Sequence, residues 1–189
     1  MIGWTTIGRR IALPSAAFAL AMMVTCGLAY GSSVTHVVLT AGASLQSTSP
    51  TVEDFAGISL DGAATQATAA MTPVRVTDPR GTGKGWHVTL QATQFTDRAT
   101  SNTLPAGSLY MAAPTVAQHD WTSSAPPAVQ DGSYFIDHGS AVQIASAAAG
   151  DGMGSFDFTP AGGLTLCVGA DTRPGTYVSI VTLSVISGP

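Results

Sequence analysis

Lysine occurs once in this chain, at Lys84, and glutamate once, at Glu53. Charged residues of every kind make up 10% of the sequence, against about 25% in an ordinary soluble domain. Seven basic side chains cannot build a basic patch, so binding to nucleic acid through many phosphate contacts is excluded and anionic membrane surfaces are disfavoured. The lone glutamate excludes a pair of glutamates for glycoside hydrolysis, although aspartate pairs remain open. Histidine is sparse too. His36, His87, His119 and His138 show no His-x-His or glutamate-bearing zinc spacing. His119-Asp120 and Asp137-His138 are adjacent pairs, and strand neighbours point to opposite faces. No Gly-x-Ser-x-Gly elbow marks a nucleophilic serine. No catalytic set rises above chance, so the sequence reads as non-enzymatic, with no cofactor and no metal site.

Two cysteines are present, Cys26 and Cys167. The first lies in an N-terminal segment with the grammar of a secretory signal peptide over residues 1–31. Arg9-Arg10 supplies the basic region, Ile11 to Leu28 the apolar stretch, and Ala29-Tyr30-Gly31 the small-residue cleavage site. The apolar core from Ala16 to Leu28 is shorter than the roughly 20 residues of a membrane span. An uncleaved anchor, a twin-arginine route through Arg9-Arg10 and lipidation at Cys26 are the alternatives. A mature chain of 32–189 then carries one thiol, Cys167, and no internal disulfide. Without Arg9 and Arg10 it has five basic against eleven acidic side chains, a net charge of −6.

The abundant residues are those of short strands and turns, with 21 Gly and 11 Pro. The hydrophobic period is two: Trp86, Val88, Leu90 and Ala92 alternate with His87, Thr89, Gln91 and Thr93. Gln94 and Phe95 reverse the phase, which predicts a bulge or the strand's end. Further strands are expected at Val37 to Leu39, Phe55 to Leu60, Thr65 to Met71, Val74 to Thr77, Leu109 to Ala112, Ala141 to Ser146, Gly154 to Phe158 and Leu164 to Val168. The last, Gly175 to Ser187, changes phase midway and is expected to be bulged or partly buried on both faces. Asp131-Gly132, Gly150-Asp151-Gly152, Ala161-Gly162-Gly163 and Pro174-Gly175 supply turns. No long window shows a helical pattern. The expected fold is all-β, a β-sandwich of two mainly antiparallel sheets, with one long loop excursion over residues 113–140.

The sharpest local feature is the run from Val76 to Trp86, with charges at Asp78, Arg80 and Lys84 and glycines at 81, 83 and 85. A phosphate-cradling loop needs a following helix, and a strand follows here. The remaining readings are a hairpin pinned by an Asp78–Arg80 pair and a surface loop presenting Arg80, Lys84 and Trp86 to a ligand. Trp86 shares its face with Val88, Leu90 and Ala92, which argues for a core position. Trp121, inside the excursion, is the better candidate for an exposed aromatic, with a lid packed over the sandwich as the equal alternative.

Asp78, Arg80-Gly81, Gly83, Gly85-Trp86 and the strand after them resemble the first signature of the WxL-domain family of bacterial cell-surface proteins. Gly175-Thr176-Tyr177 and the run to Leu183 are similar to its second, C-terminal signature. Gly152-Met153-Gly154 and Leu164-Thr165-Leu166 also look like the family, in its stand-alone actinobacterial form. Here the first Trp-any-Leu motif reads Trp86-His87-Val88, and the second reads Val181-Thr182-Leu183. The resemblance implies an exported protein that binds non-covalently to the cell wall, to peptidoglycan or an associated polymer. Asp78, Arg80, Lys84, Trp86, Trp121 and Tyr177 form the candidate ligand-binding set. A structural surface protein that binds other surface proteins is the alternative, and a secreted hydrolase using aspartates a more distant one.

Overall fold

The alternation at Trp86 becomes a seven-residue strand, Trp86–Ala92, whose every second residue is buried. It stands in a computed structural model that describes residues 37–40, 42 and 44–188. The expected leader, residues 1–31, lies outside the described residues.

Among the described residues there are 14 strands and no helix. In chain order they are β1 (Gln46–Ser47), β2 (Thr65–Ala69), β3 (Val74–Asp78), β4 (Trp86–Ala92), β5 (Thr96–Asp97), β6 (Leu109–Ala112) and β7 (Thr115–Gln118). The rest are β8 (Ala128–Val129), β9 (Ser133–Phe135), β10 (Val142–Ala147), β11 (Gly154–Thr159), β12 (Leu164–Val168), β13 (Tyr177–Val178) and β14 (Val181–Ser187). Three sheets have four strands each, in the orders β1-β3-β11-β7, β14-β4-β10-β8 and β2-β12-β6-β9, and β13 pairs with β5 in a ribbon. Every ladder is antiparallel. No strand pairs with its neighbour in sequence. The chain changes sheet at each connection.

The all-β expectation holds, but the strands divide among four sheets rather than two. They enclose one core containing Trp86, Leu90, Leu109, Ile136, Phe156 and Leu164, all essentially unexposed. The Trp86 ring lies 6.1 Å from both Phe156 and Phe158, joining β4 of the second sheet to β11 of the first. Full burial of such aromatics is among the larger single contributions to a core.

Other expectations are corrected. Val37 to Leu39 and Phe55 to Leu60 form no strand. Val52, Phe55 and Ile58 instead lean on the core at a spacing of three, with Phe55 edge-on to Phe95. The Val76–Trp86 run is not a hairpin, because β3 and β4 belong to different sheets. The single long C-terminal strand is two, interrupted at Ser179 and Ile180, and the phase change in its apolar residues marks that break. Residues 113–140 are mostly irregular, as expected, yet carry β7, β8 and β9, one for each large sheet.

Candidate functional site

Asp78 ends β3 with its carboxylate fully enclosed. Arg80 clamps it two residues later, Nε and Nη2 each donating at 2.8 Å to its two carboxylate oxygens, while the Arg80 backbone N–H donates at 3.1 Å. A bidentate guanidinium–carboxylate pair is the strongest geometry for such an ion pair. The side-chain bond from Arg80 holds the Asp78 carboxyl below the usual carboxylate range, against the opposing effect of burial. Arg80 also donates to the Gly85 carbonyl at 3.2 Å and to the Ser187 hydroxyl.

Gly85 has a φ of +72°, and a Cβ there would lie 2.4 Å from the Ala147 carbonyl oxygen. Only glycine fits this approach, and it sets Trp86 into the core. The Trp86 indole N–H donates at 2.8 Å to the carbonyl of Gly152. Gly83 accepts from the Gly150 N–H at 2.8 Å, and Gly85 accepts from the Gly188 N–H at 3.1 Å. The run from Asp78 to Trp86 is therefore closed on itself and on the two segments it meets. Asp78, Arg80 and Trp86 spend their polar groups on one another, on backbone and on the Ser187 hydroxyl, whereas Lys84 is exposed. The two signature-like strands are direct neighbours: β14 pairs with β4, placing Val181 opposite Ala92, Val185 opposite Val88 and Ser187 opposite Trp86.

Trp121 is 92% exposed, so the turn presents it rather than folding it down as a lid. Its neighbour His119 does not meet Asp120. His119 Nδ1 lies 2.9 Å from Asp157 Oδ2, and Arg75 Nε donates to the other oxygen at 2.7 Å. Arg75 is the main cause, and His119 a lesser one, of a lowered Asp157 pKa. This Arg75–Asp157–His119 cluster was not anticipated, because its members come from separate strands and a turn.

A cleft of about 1020 Å³ opens on the side of the core bounded by residues 52–60 and 172–179. Phe95, Leu104, Leu109, Leu164, Leu166 and Val168 line its base. Glu53 and Asp54 stand on one wall, Arg173 and Tyr177 on the other. The Tyr177 hydroxyl donates at 2.9 Å to the Arg173 carbonyl, and β13 ties the wall to β5 through Tyr177 opposite Asp97. Val181, at the start of the second signature-like strand, also lines the cleft. Of the candidate residues, only Tyr177 belongs to it. Trp121 and Lys84 are exposed elsewhere on the chain, Asp78 and Trp86 are buried, and Arg80 is partly buried over Asp78. The spacing of Val52, Phe55 and Ile58 was the sequence signal for this wall.

Among the described residues, no three His, Cys, Asp or Glu side chains converge as a metal site. Cys167 is free and partly exposed. A family model described as "WxL domain surface cell wall-binding" matches residues 37–165. Neither the curated proteins nor the solved structures gave a match.

Proposed function

Because this chain belongs to the WxL family of surface cell wall-binding domains, we propose that it is an exported surface protein that holds non-covalently to peptidoglycan or a polymer attached to it. The family match carries this reading. WxL is a family of binding domains, not of enzymes, and the hydrolase alternative gains no support from it.

The cleft is the place we assign to the polymer. It offers what a saccharide chain with peptide branches uses: the rings of Tyr177 and Phe55 for sugar faces, carboxylates at Glu53 and Asp54, and a guanidinium at Arg173. The second signature reaches it through Val181, the position at which the family resemblance has tryptophan. The first signature has another task. Its Asp78, Arg80 and Trp86 are engaged internally and act as framework, holding β4 and β14 side by side.

Co-sedimentation with purified cell walls at physiological salt tests both levels. Wild-type protein is expected in the pellet. Truncating an aromatic hot spot costs about 2 kcal/mol, so Tyr177→Ala is expected to weaken wall affinity roughly thirtyfold. Wild-type protein left in the supernatant overturns wall binding. Full retention by Tyr177→Ala overturns the cleft as its place.

A further inference from the structure

The second sheet ends in an edge without the usual protection. Natural edge strands are kept from pairing by shortness, charge, proline or a bulge. Four of the other edges, β1, β7, β8 and β9, are only two to four residues long. β14 has seven residues, Val-Thr-Leu-Ser-Val-Ile-Ser, with no charge and no proline, and its register with β4 is unbroken. By contrast the β10–β4 ladder shifts between Gln143 and Ala145.

The phase of the β14 ladder shows which groups face outward. The Thr93 N–H donates to the Ile180 carbonyl, and the Gly188 N–H donates to the Gly85 carbonyl. Antiparallel strands exchange bonds at every second residue. Thr182, Ser184 and Ile186 are therefore bonded to β4, and the N–H and C=O groups of Val181, Leu183, Val185 and Ser187 point away from it. No described strand pairs with them. The apolar layer stops at the same place. Val88, Leu90 and Ala92 of β4 are buried, while Val185, Leu183 and Val181 opposite them are only half-buried.

We propose that β14 is the contact through which two copies of this chain join edge to edge into one continuous sheet. The strand is complementary to itself. Of the antiparallel registers it could form with a second copy, only the one centred on Ser184 pairs all four outward residues, Val181 with Ser187 and Leu183 with Val185. In that register Leu183 and Val185 of one copy cover Val185 and Leu183 of the other on the core face, extending the half-buried layer. Ser184 meets Ser184 on the exposed face, and Thr182 meets Ile186. No charge is brought against a like charge.

Sedimentation velocity on the full chain at tens of micromolar tests this, with Ser184→Lys as the disrupting variant. Ser184 is exposed, so lysine there leaves the fold intact, which circular dichroism verifies. In the dimer it places two ammonium groups face to face. Wild type is expected to sediment as a dimer and Ser184→Lys as a monomer. The register is read by cross-linking in a Cys26→Ser, Cys167→Ser background. Ser184 opposite Ser184 is a pair with Cα atoms about 4.5 Å apart, within the range of a disulfide. Ser184→Cys is therefore expected to oxidise to a covalent dimer, and Thr182→Cys to remain monomeric. A monomeric wild type, a dimer that survives Ser184→Lys, or equal cross-linking at Thr182→Cys overturns the proposal.

Discussion

Replacing Trp86 with phenylalanine separates a framework role from a binding role for the motif tryptophan. The indole is 0% exposed, lies between Phe156 and Phe158, and donates to the Gly152 carbonyl at 2.8 Å. Phenylalanine keeps a ring there but loses the donor, leaving an enclosed carbonyl without its partner at a cost of about 1–3 kcal/mol. It also vacates roughly 40 Å³, worth about 1 kcal/mol of cavity. The expected destabilisation is therefore about 2–4 kcal/mol, against a total near 5–15 kcal/mol for a typical domain. Urea unfolding followed by far-ultraviolet circular dichroism reads it as a lower midpoint at unchanged slope. Wall co-sedimentation of the folded variant at low temperature is expected to match wild type. An unchanged unfolding midpoint together with lost sedimentation would refute the reasoning, because Trp86 would then be touching the polymer.

Two further outcomes follow from the same framework. Gly152 has a φ of +72°, and a Cβ there would lie 2.3 Å from the Ala147 Cβ and 2.7 Å from the Trp86 indole nitrogen. Gly152→Ala is expected to cost at least about 2 kcal/mol, from left-handed backbone strain and overpacking. Gly81→Ala, at φ +63° with open space around it, shows the strain alone; thermal unfolding of the two variants compares them, and equal melting temperatures defeat the packing argument. Acid stability is the second outcome. Asp78, Asp97 and Asp157 all have lowered pKa values, owing chiefly to bonds from Arg80, Thr100 and Arg75 respectively. A depressed folded-state value means stability that is full above the unfolded pKa, near 4, and is lost as pH falls through the folded one. Urea midpoints are expected to fall steeply below about pH 4, and Asp78→Asn is expected to start weaker at neutral pH and to lose less on acidification.

The strands that pack against the core on one face were legible because burial imposes alternation. β4, β6 and β12 emerge where period two places them, and Trp86 enters the core with its face-mates. The Asp78–Arg80 pair was legible as well, since two residues of separation leave it local. What sequence pattern does not carry is pairing between distant segments. A run bounded by turns reads as a hairpin by default, yet β3 and β4 part into different sheets. Phe55 to Leu60 was read as a strand because it runs up to the turn signal Asp61-Gly62, but it is part of a longer segment, residues 52–60, that lines the cleft. Its anchors, Val52, Phe55 and Ile58, recur every third residue and fix an irregular wall instead. The cleft was invisible for the same reason, as its two walls lie more than a hundred positions apart in the chain.

That no strand pairs with its sequence neighbour has a kinetic consequence. His87 and the Gly188 carbonyl it contacts are 101 positions apart, and the β14–β4, β13–β5, β12–β2 and β11–β3 ladders likewise join distant segments, whose loops must close before any contact rewards them. Among the described residues the local seed is small, a tight turn in which Thr96 bridges Thr103 and the Leu104 N–H donates to the Phe95 carbonyl. Folding of such a chain belongs at the slow end of the single-domain range, on the order of milliseconds to seconds. Removing β14 strips β4 of a neighbour that lies about a hundred positions further along the chain. Until β14 arrives, β4 lacks its partner on one of its two sides.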